Sequence, residues 1–281
     1  PPFRLPRTVL DREIKNLKEM GVKFEKNVIV GKSITLKQLK EDGYDAIFIC
    51  SGAGLPKMMN IPGENLNGVY SANEFLTRVN LMGADGKDAV TPLRVGKAAA
   101  VIGGGNVAMD AARTAVRVGF EKVYIVYRRT EAELPARLEE IRHAKEEGVI
   151  FQFLHAPVEI YNKDGYAAGM KFEIMELGEP DESGRRKPVG TGRYTDLDVD
   201  SVIVALGTGP NPIIQKSAHL DGLDFELDSK GYFTVNPETR ETSIPAIFAG
   251  GDVAPVGTSN AINAMGAGKK AAKAINEYLR Q

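Results

Sequence analysis

The segment Val101-Ile102-Gly103-Gly104-Gly105-Asn106-Val107-Ala108 points most directly to chemistry. It fits G-x-G-x-x-A with Gly103, Gly105 and Ala108, directly after an apolar run and at the start of a helix-like one. Gly103 permits a tight turn, and Gly105 lets the backbone approach a diphosphate. Ala108 lets the helix pack close to the sheet, while free N–H groups at the helix start receive negative charge. A structural glycine turn needs the same freedom of backbone. The flanking strands and the small-residue helix favour a dinucleotide site instead.

Which dinucleotide is decided at the end of the next strand. NAD sites usually place Asp or Glu there for the ribose 2′-hydroxyl, whereas NADP sites recruit Arg for the 2′-phosphate. This strand ends Val126-Tyr127-Arg128-Arg129, with no acid before Glu131. Two guanidiniums match a phosphate in charge and fork geometry, so the reading is NADP(H). A pair of surface arginines on an edge loop is the alternative, and Glu131 and Glu133 follow closely.

Other chemistry-bearing residues are sparse. His143, His155 and His219 are scattered and form no metal or triad pattern, so neither a metal site nor an acid–base catalytic residue is expected. Cys50 ends an apolar strand and is expected to be a buried, inert thiol. Gly251-Asp252 follows a short apolar run, where a carboxylate could accept hydrogen bonds from ligand hydroxyls. Alone, it reads first as an Asp turn or helix cap.

The elements that must position these residues alternate between strand-like and helix-like runs, the pattern of an α/β protein with parallel sheets. Thr8 with Asp11, and Thr35 with Gln38, are capping-box patterns that open helices. Residues 45–50, 98–102, 122–127 and 200–206 read as strands buried on both faces, and 106–118 as a helix. Thr130 and Glu133 are expected to cap a helix ending at Gly148. Residues 151–160 and 170–177 look like a strand pair, and the polar run 178–193 like an exposed loop. Residues 246–249 lead into Gly250-Gly251-Asp252. A final helix over 260–279 places Ile262, Met265, Ala272, Ile275 and Leu279 at helical spacing.

Composition excludes several classes. Lys+Arg total 36 against 37 Asp+Glu, a net charge of -1, so no global field draws nucleic acid or an anionic membrane. No apolar run approaches a membrane span, and no secretory signal is visible. One cysteine among 281 residues leaves no intrachain disulfide, CxxC redox pair or cysteine-ligated iron–sulfur cluster within them. A reducing cytoplasm is the expected compartment.

The order FRLPR, ICSGAGLPKMMNIPGE, VIGGGNVAMDAART, VYRRTEAELPAR, VIVALGTGPN and IFAGGD with NAINAMGAGKKAAKAI resembles the glutamate synthase small (beta) subunit family over essentially the whole chain. That group includes NADP-binding subunits of ferredoxin:NADP oxidoreductases and sulfide dehydrogenases. The resemblance implies a flavoprotein with two dinucleotide-binding domains, the Rossmann-like NADP-binding domain being inserted into the FAD-binding domain. The expected boundaries are 1–64 and 209–281 for an incomplete FAD domain and 65–208 for the NADP(H) domain. It further implies that Asp252, behind Gly251, is a flavin-ribityl ligand. Ser51-Gly52 and Gly207-Thr208 would be strand-end turns near the cofactors, and Ser259, Asn260 and Ala261 would lie near the flavin.

Family members begin with a cysteine-rich iron–sulfur domain and a strand–GxGxxG–helix that holds FAD. Neither occurs in these residues, so the resemblance implies the C-terminal two-thirds of such a subunit. The implied activity is hydride transfer from NADPH to FAD, with electrons passing to iron–sulfur centres, a large subunit or a ferredoxin-type acceptor. The alternative is an NADP-binding module without turnover.

Overall fold

The computed structural model describes all residues except Lys87, Ser183, Thr258 and Gln281. The chain opens with α1 (Arg7–Glu19) and α2 (Leu36–Glu41), followed by β1 (Ile47–Ile49) and the two-residue β2 (Leu55–Pro56). β3 (Val69–Ser71) and α3 (Ala72–Met82) precede β4 (Ala98–Ile102), α4 (Asn106–Val118) and β5 (Lys122–Tyr127). Next come a 3₁₀ turn at Glu131–Glu133, α5 (Leu138–Glu146) and β6 (Ile150–Phe153). β7 (His155–Lys163), β8 (Tyr166–Pro180) and β9 (Arg186–Leu197) lead to β10 (Ser201–Val204) and β11 (Thr208–Gly209). The chain ends with α6 (Ile213–Leu220), β12 (Ile247–Ala249) and α7 (Ala261–Tyr278).

These elements form two compact units. The first comprises Pro1–Lys15 and Pro56–Gly207, the second Asn16–Leu55 and Thr208–Gln281. Residues 1–15, expected with the 1–64 segment, cluster with the first unit. The reason is electrostatic. Arg4 pairs with Asp110 at 2.6 Å and Glu140 at 2.9 Å, and the guanidiniums of Arg113 and Arg117 lie over the Phe3 ring.

The first unit is a five-stranded parallel sheet in the order β3-β10-β4-β5-β6, beside an antiparallel sheet β7-β8-β9. Alternation along β4 divides its side chains between two cores. Ala99 and Val101 pack against Ala108, Met109, Ala111, Ala112 and Ala115 of α4, all fully buried. Ala98, Ala100 and Ile102 meet a core containing Ile160, Met170 and Phe172 of the antiparallel sheet. Both faces are covered, which explains the uninterrupted apolar strands. Each buried side chain of the size of Ile or Met contributes about 1.5–3 kcal/mol.

Several local expectations change. α1 begins at Arg7, so Thr8 lies within the helix instead of capping it. Thr35 and Gln38 do form a capping box. Thr130 and Glu133 close only the 3₁₀ turn, and α5 starts afresh at Leu138, because Pro135 lacks the N–H that a continuous helix needs. The run 151–160 splits at Leu154, which turns at φ 60 from the parallel to the antiparallel sheet. Residues 178–180 and 186–193, expected in a loop, are instead strand, the end of β8 and the first part of β9.

The second unit pairs β1 with β12 in parallel, Ile47 to Ile247 through Ile49 to Ala249. Its core gathers Leu36, Ile49, Ile214, Phe233, Ile247 and Val253. Arg240 is buried there and donates to the carbonyls of Ala249 and Ala254. Its two-stranded sheet covers β1 only in part, and Cys50 is exposed, contrary to expectation. The expected apolar stripe of α7 is also uncovered: Ile262 is 81% and Met265 70% exposed, while Ala271 is buried.

Candidate functional site: a nucleotide turn and its specificity loop

The turn from β4 into α4 is formed by Gly103, Gly104 and Gly105, with Asn106, Val107 and Ala108 as the first helical residues. Gly103 has φ 144, and a Cβ there would stand 2.4 Å from the Ala205 carbonyl oxygen. The position therefore demands glycine on two counts, conformation and space. Gly105 differs: a Cβ there would meet nothing within 4 Å, so the turn opens outward at this point.

Gly105 occupies the N-cap position and gives the helix no side-chain cap. The first bond into the helix runs from Met109 N–H to Gly105 O at 3.2 Å. Among the described residues, nothing accepts a bond from the N–H groups of Asn106, Val107 or Ala108. Free N–H donors at a helix N-terminus are the arrangement with which proteins commonly receive an anion. The segment after the 3₁₀ turn is pinned beside it, through Ala136 N–H to Gly104 O at 3.1 Å and Arg137 N–H to Asn106 Oδ1 at 3.0 Å. Arg137 brings an exposed guanidinium to this region. Sequence reasoning missed it, because the contact that places it is made by its backbone.

At the end of β5 the two arginines part company. Arg128 is exposed and has no ion-pair partner among the described residues. Arg129 has a side chain only 6% exposed. Its Nε donates to the Arg186 carbonyl at 2.6 Å, and its Nη2 pairs with Asp181. The neighbouring acids are also engaged. Glu131 pairs with Lys145 at 2.6 Å. Glu133 accepts from the Thr130 hydroxyl at 2.5 Å, the Thr130 N–H at 3.1 Å and Arg186 Nε at 2.6 Å. The Thr130 hydroxyl, followed by Arg186, holds the Glu133 carboxyl below the usual glutamate range against the opposing effect of burial.

In the second unit, Gly251, Asp252 and Ser259 line a shallow cleft with Asn263 and Ala264 of α7. Asn260 is the N-cap of α7, its Oδ1 accepting from Asn263 N–H at 2.8 Å, and Ala261 is the first residue of the helix. Ser51 and the half-buried Gly52 follow the end of β1. Gly207, at φ 94, ends the first unit and accepts from Lys57 N–H at 3.0 Å, and Thr208 begins β11. The carboxylate of Asp252 and the hydroxyl of Ser259 suit a ligand rich in hydroxyl groups.

Residues 7–268 match the pyridine nucleotide-disulphide oxidoreductase family. The chain belongs to that family. Among curated members it is 41% identical over its full length to the beta subunit of the NADP(+)-dependent formate dehydrogenase of Moorella thermoacetica, spanning 38% of that protein. It is 37% identical over 99% of its length to the glutamate synthase [NADPH] small chain of Halomonas elongata, of which it spans 59%. The fold of this oxidoreductase-family chain is that of the reductases with two dinucleotide-binding domains. Mycobacterium tuberculosis FprA, solved in complex with NADPH, superposes with a TM-score of 0.75 at 22% identity, over 99% of this chain and 74% of FprA. Among the described residues, no helix is long and apolar enough to cross a membrane.

Proposed function

We propose that this chain binds NADP(H) on the β4–α4 turn and a flavin at the Asp252 cleft, as the nucleotide-handling part of an NADPH-dependent flavin oxidoreductase. The observation that carries this reading is the open helix start of α4, with three unengaged N–H donors, accompanied by an uncommitted Arg128 at the end of β5. Gly103, Gly104 and Gly105 shape the turn. Asn106, Val107 and Ala108 donate to the diphosphate, and Arg128 takes the 2′-phosphate while Arg129 builds the loop beneath it. On this reading residues 56–207 form the NADP(H) domain, and the second unit belongs to the FAD domain.

FAD, when bound, supplies hydride acceptance from NADPH and release of single electrons. The chain's own contribution is to bind and orient. Asp252 would accept hydrogen bonds from the hydroxyls of a bound flavin's chain. Ser259, Asn260 and Ala261 present the start of α7, and the Ser51-Gly52 and Gly207-Thr208 turns form further cofactor borders. No acid–base dyad is needed. A single cysteine in these residues supplies no dithiol of their own. We infer an acceptor of the kind the family resemblance implies, iron–sulfur centres, a large subunit or a ferredoxin-type protein, in the cytoplasm; the relatives' names, a beta subunit and a small chain, support a partner subunit and no more.

A second reading, nucleotide binding without turnover, is favoured by the two-stranded sheet of the second unit. Visible absorbance after incubation with FAD and removal of the excess separates the two readings. Retained flavin that NADPH bleaches supports the oxidoreductase, whereas a colourless protein that still binds NADPH supports the module.

A further inference from the structure

The antiparallel hairpin of the first unit has one end far from its own core. There, Pro180 pairs with Arg186, and the turn between them closes through Asp181 N–H to Arg185 O at 2.7 Å. This end reaches the loop that follows β5. Asp181 engages Arg129, the Arg186 carbonyl accepts from Arg129, and the Arg186 guanidinium holds Glu133 at 2.6 Å.

Charge bookkeeping around the loop gives these contacts a purpose. Arg129 is matched by Asp181, Glu131 by Lys145 and Glu133 by Arg186. Arg128 is the cation of this loop left without a carboxylate among the described residues. Without Arg186, Glu133 would be an uncompensated carboxylate five residues from Arg128. It would compete for that arginine and repel a dianionic phosphate.

We propose that the far end of the β8–β9 hairpin sets nucleotide specificity: Asp181 and Arg186 are positioning residues that commit Arg129 and Glu133, leaving Arg128 to meet a 2′-phosphate. The inference rests on the NADP(H) reading of this loop and deepens it. The ligand class is a 2′-phosphorylated adenine nucleotide, and the discriminating elements include a hairpin more than fifty residues downstream of the arginines.

Calorimetric titration of the 281-residue chain with 2′,5′-ADP and with 5′-ADP, which lacks the 2′-phosphate, tests this without any flavin or turnover. Arg186→Ala is expected to weaken 2′,5′-ADP about tenfold and leave 5′-ADP unchanged. Arg186→Lys should retain most of the preference, and Asp181→Asn should lose part of it. The decisive variant is the double substitution Glu133→Gln with Arg186→Ala, which should recover the preference by removing the freed charge. Equal weakening of both nucleotides, or a double variant as weak as Arg186→Ala, would overturn the proposal in favour of a merely structural hairpin. A wild-type chain that binds both nucleotides equally would defeat the NADP(H) reading, and this inference with it. A preference that survives Arg186→Ala would defeat this inference alone.

Discussion

Two regions of this molecule start from the same local recipe, a short apolar strand followed by a small-residue turn and a helix, and finish differently. In the first unit, β4 lies inside a five-stranded sheet with helices on one face and an antiparallel sheet on the other. Its turn is fixed by backbone contacts on both sides, and the helix after it is fully packed along its small residues. In the second unit, among the described residues, β12 pairs with the strand β1 and makes one isolated bridge from Phe248 to Glu241, and the helix after its turn exposes Ile262 and Met265. The lesson is that a strand–turn–helix sequence specifies the backbone of a ligand turn. The layers around it determine how firmly that backbone is held.

The sharpest way to break this comparison is at Gly103. Gly103→Ala forces a Cβ against the Ala205 carbonyl and into an unfavourable φ, so a loss of about 3 kcal/mol in stability and of all NADPH binding is expected. Gly105→Ala is the contrast. It should leave the melting temperature unchanged and weaken NADPH, because its Cβ enters the space a diphosphate would use. Thermal melts beside NADPH titrations distinguish the two.

Next in size are the arginines. Arg129→Ala removes one partner of a buried ion pair and should cost about 3 kcal/mol in stability together with affinity. Arg128→Ala should leave stability untouched and weaken NADPH about tenfold or more without affecting NADH. Equal effects of the two substitutions on melting would show that the loop is not divided as described.

Asp252→Ala should reduce retained flavin about tenfold while leaving NADPH affinity unchanged, measured by absorbance and titration on the same sample. A parallel loss of NADPH binding would mean that the two regions are not separable.

The smallest effect expected is with pH. The Glu133 carboxyl titrates below its ordinary range, so its bonds to Thr130 and Arg186 add stability that is present above the unfolded value. That stability is lost as pH falls through the lowered folded value. Glu133→Gln should therefore lower stability slightly at neutral pH, where the wild-type carboxylate is charged, and flatten the acid side of the profile, as urea melts from neutral to acidic pH would register.

The sequence made the β4–α4 turn legible because its signal is local: an apolar run, glycines at fixed spacing and a helix of small residues. The different fates of Arg128 and Arg129 were not legible, since the groups that bury Arg129 lie at Asp181 and Arg186. The hairpin bearing them reads as a loop, because strands exposed on much of their surface, such as β9, lack apolar alternation. Cys50 failed for a related reason. An apolar strand predicts burial only when both neighbours are present, and among the described residues β1 pairs with β12 alone.

The central claim, a 2′-phosphate-selective dinucleotide site on the β4–α4 turn, is tested most directly by fluorescence titration of the chain with NADPH and NADH, repeated on Arg128→Ala. Tighter binding of NADPH that falls to the NADH level in the variant is the result this account predicts. Equal affinity for both nucleotides, unmoved by the substitution, would contradict it.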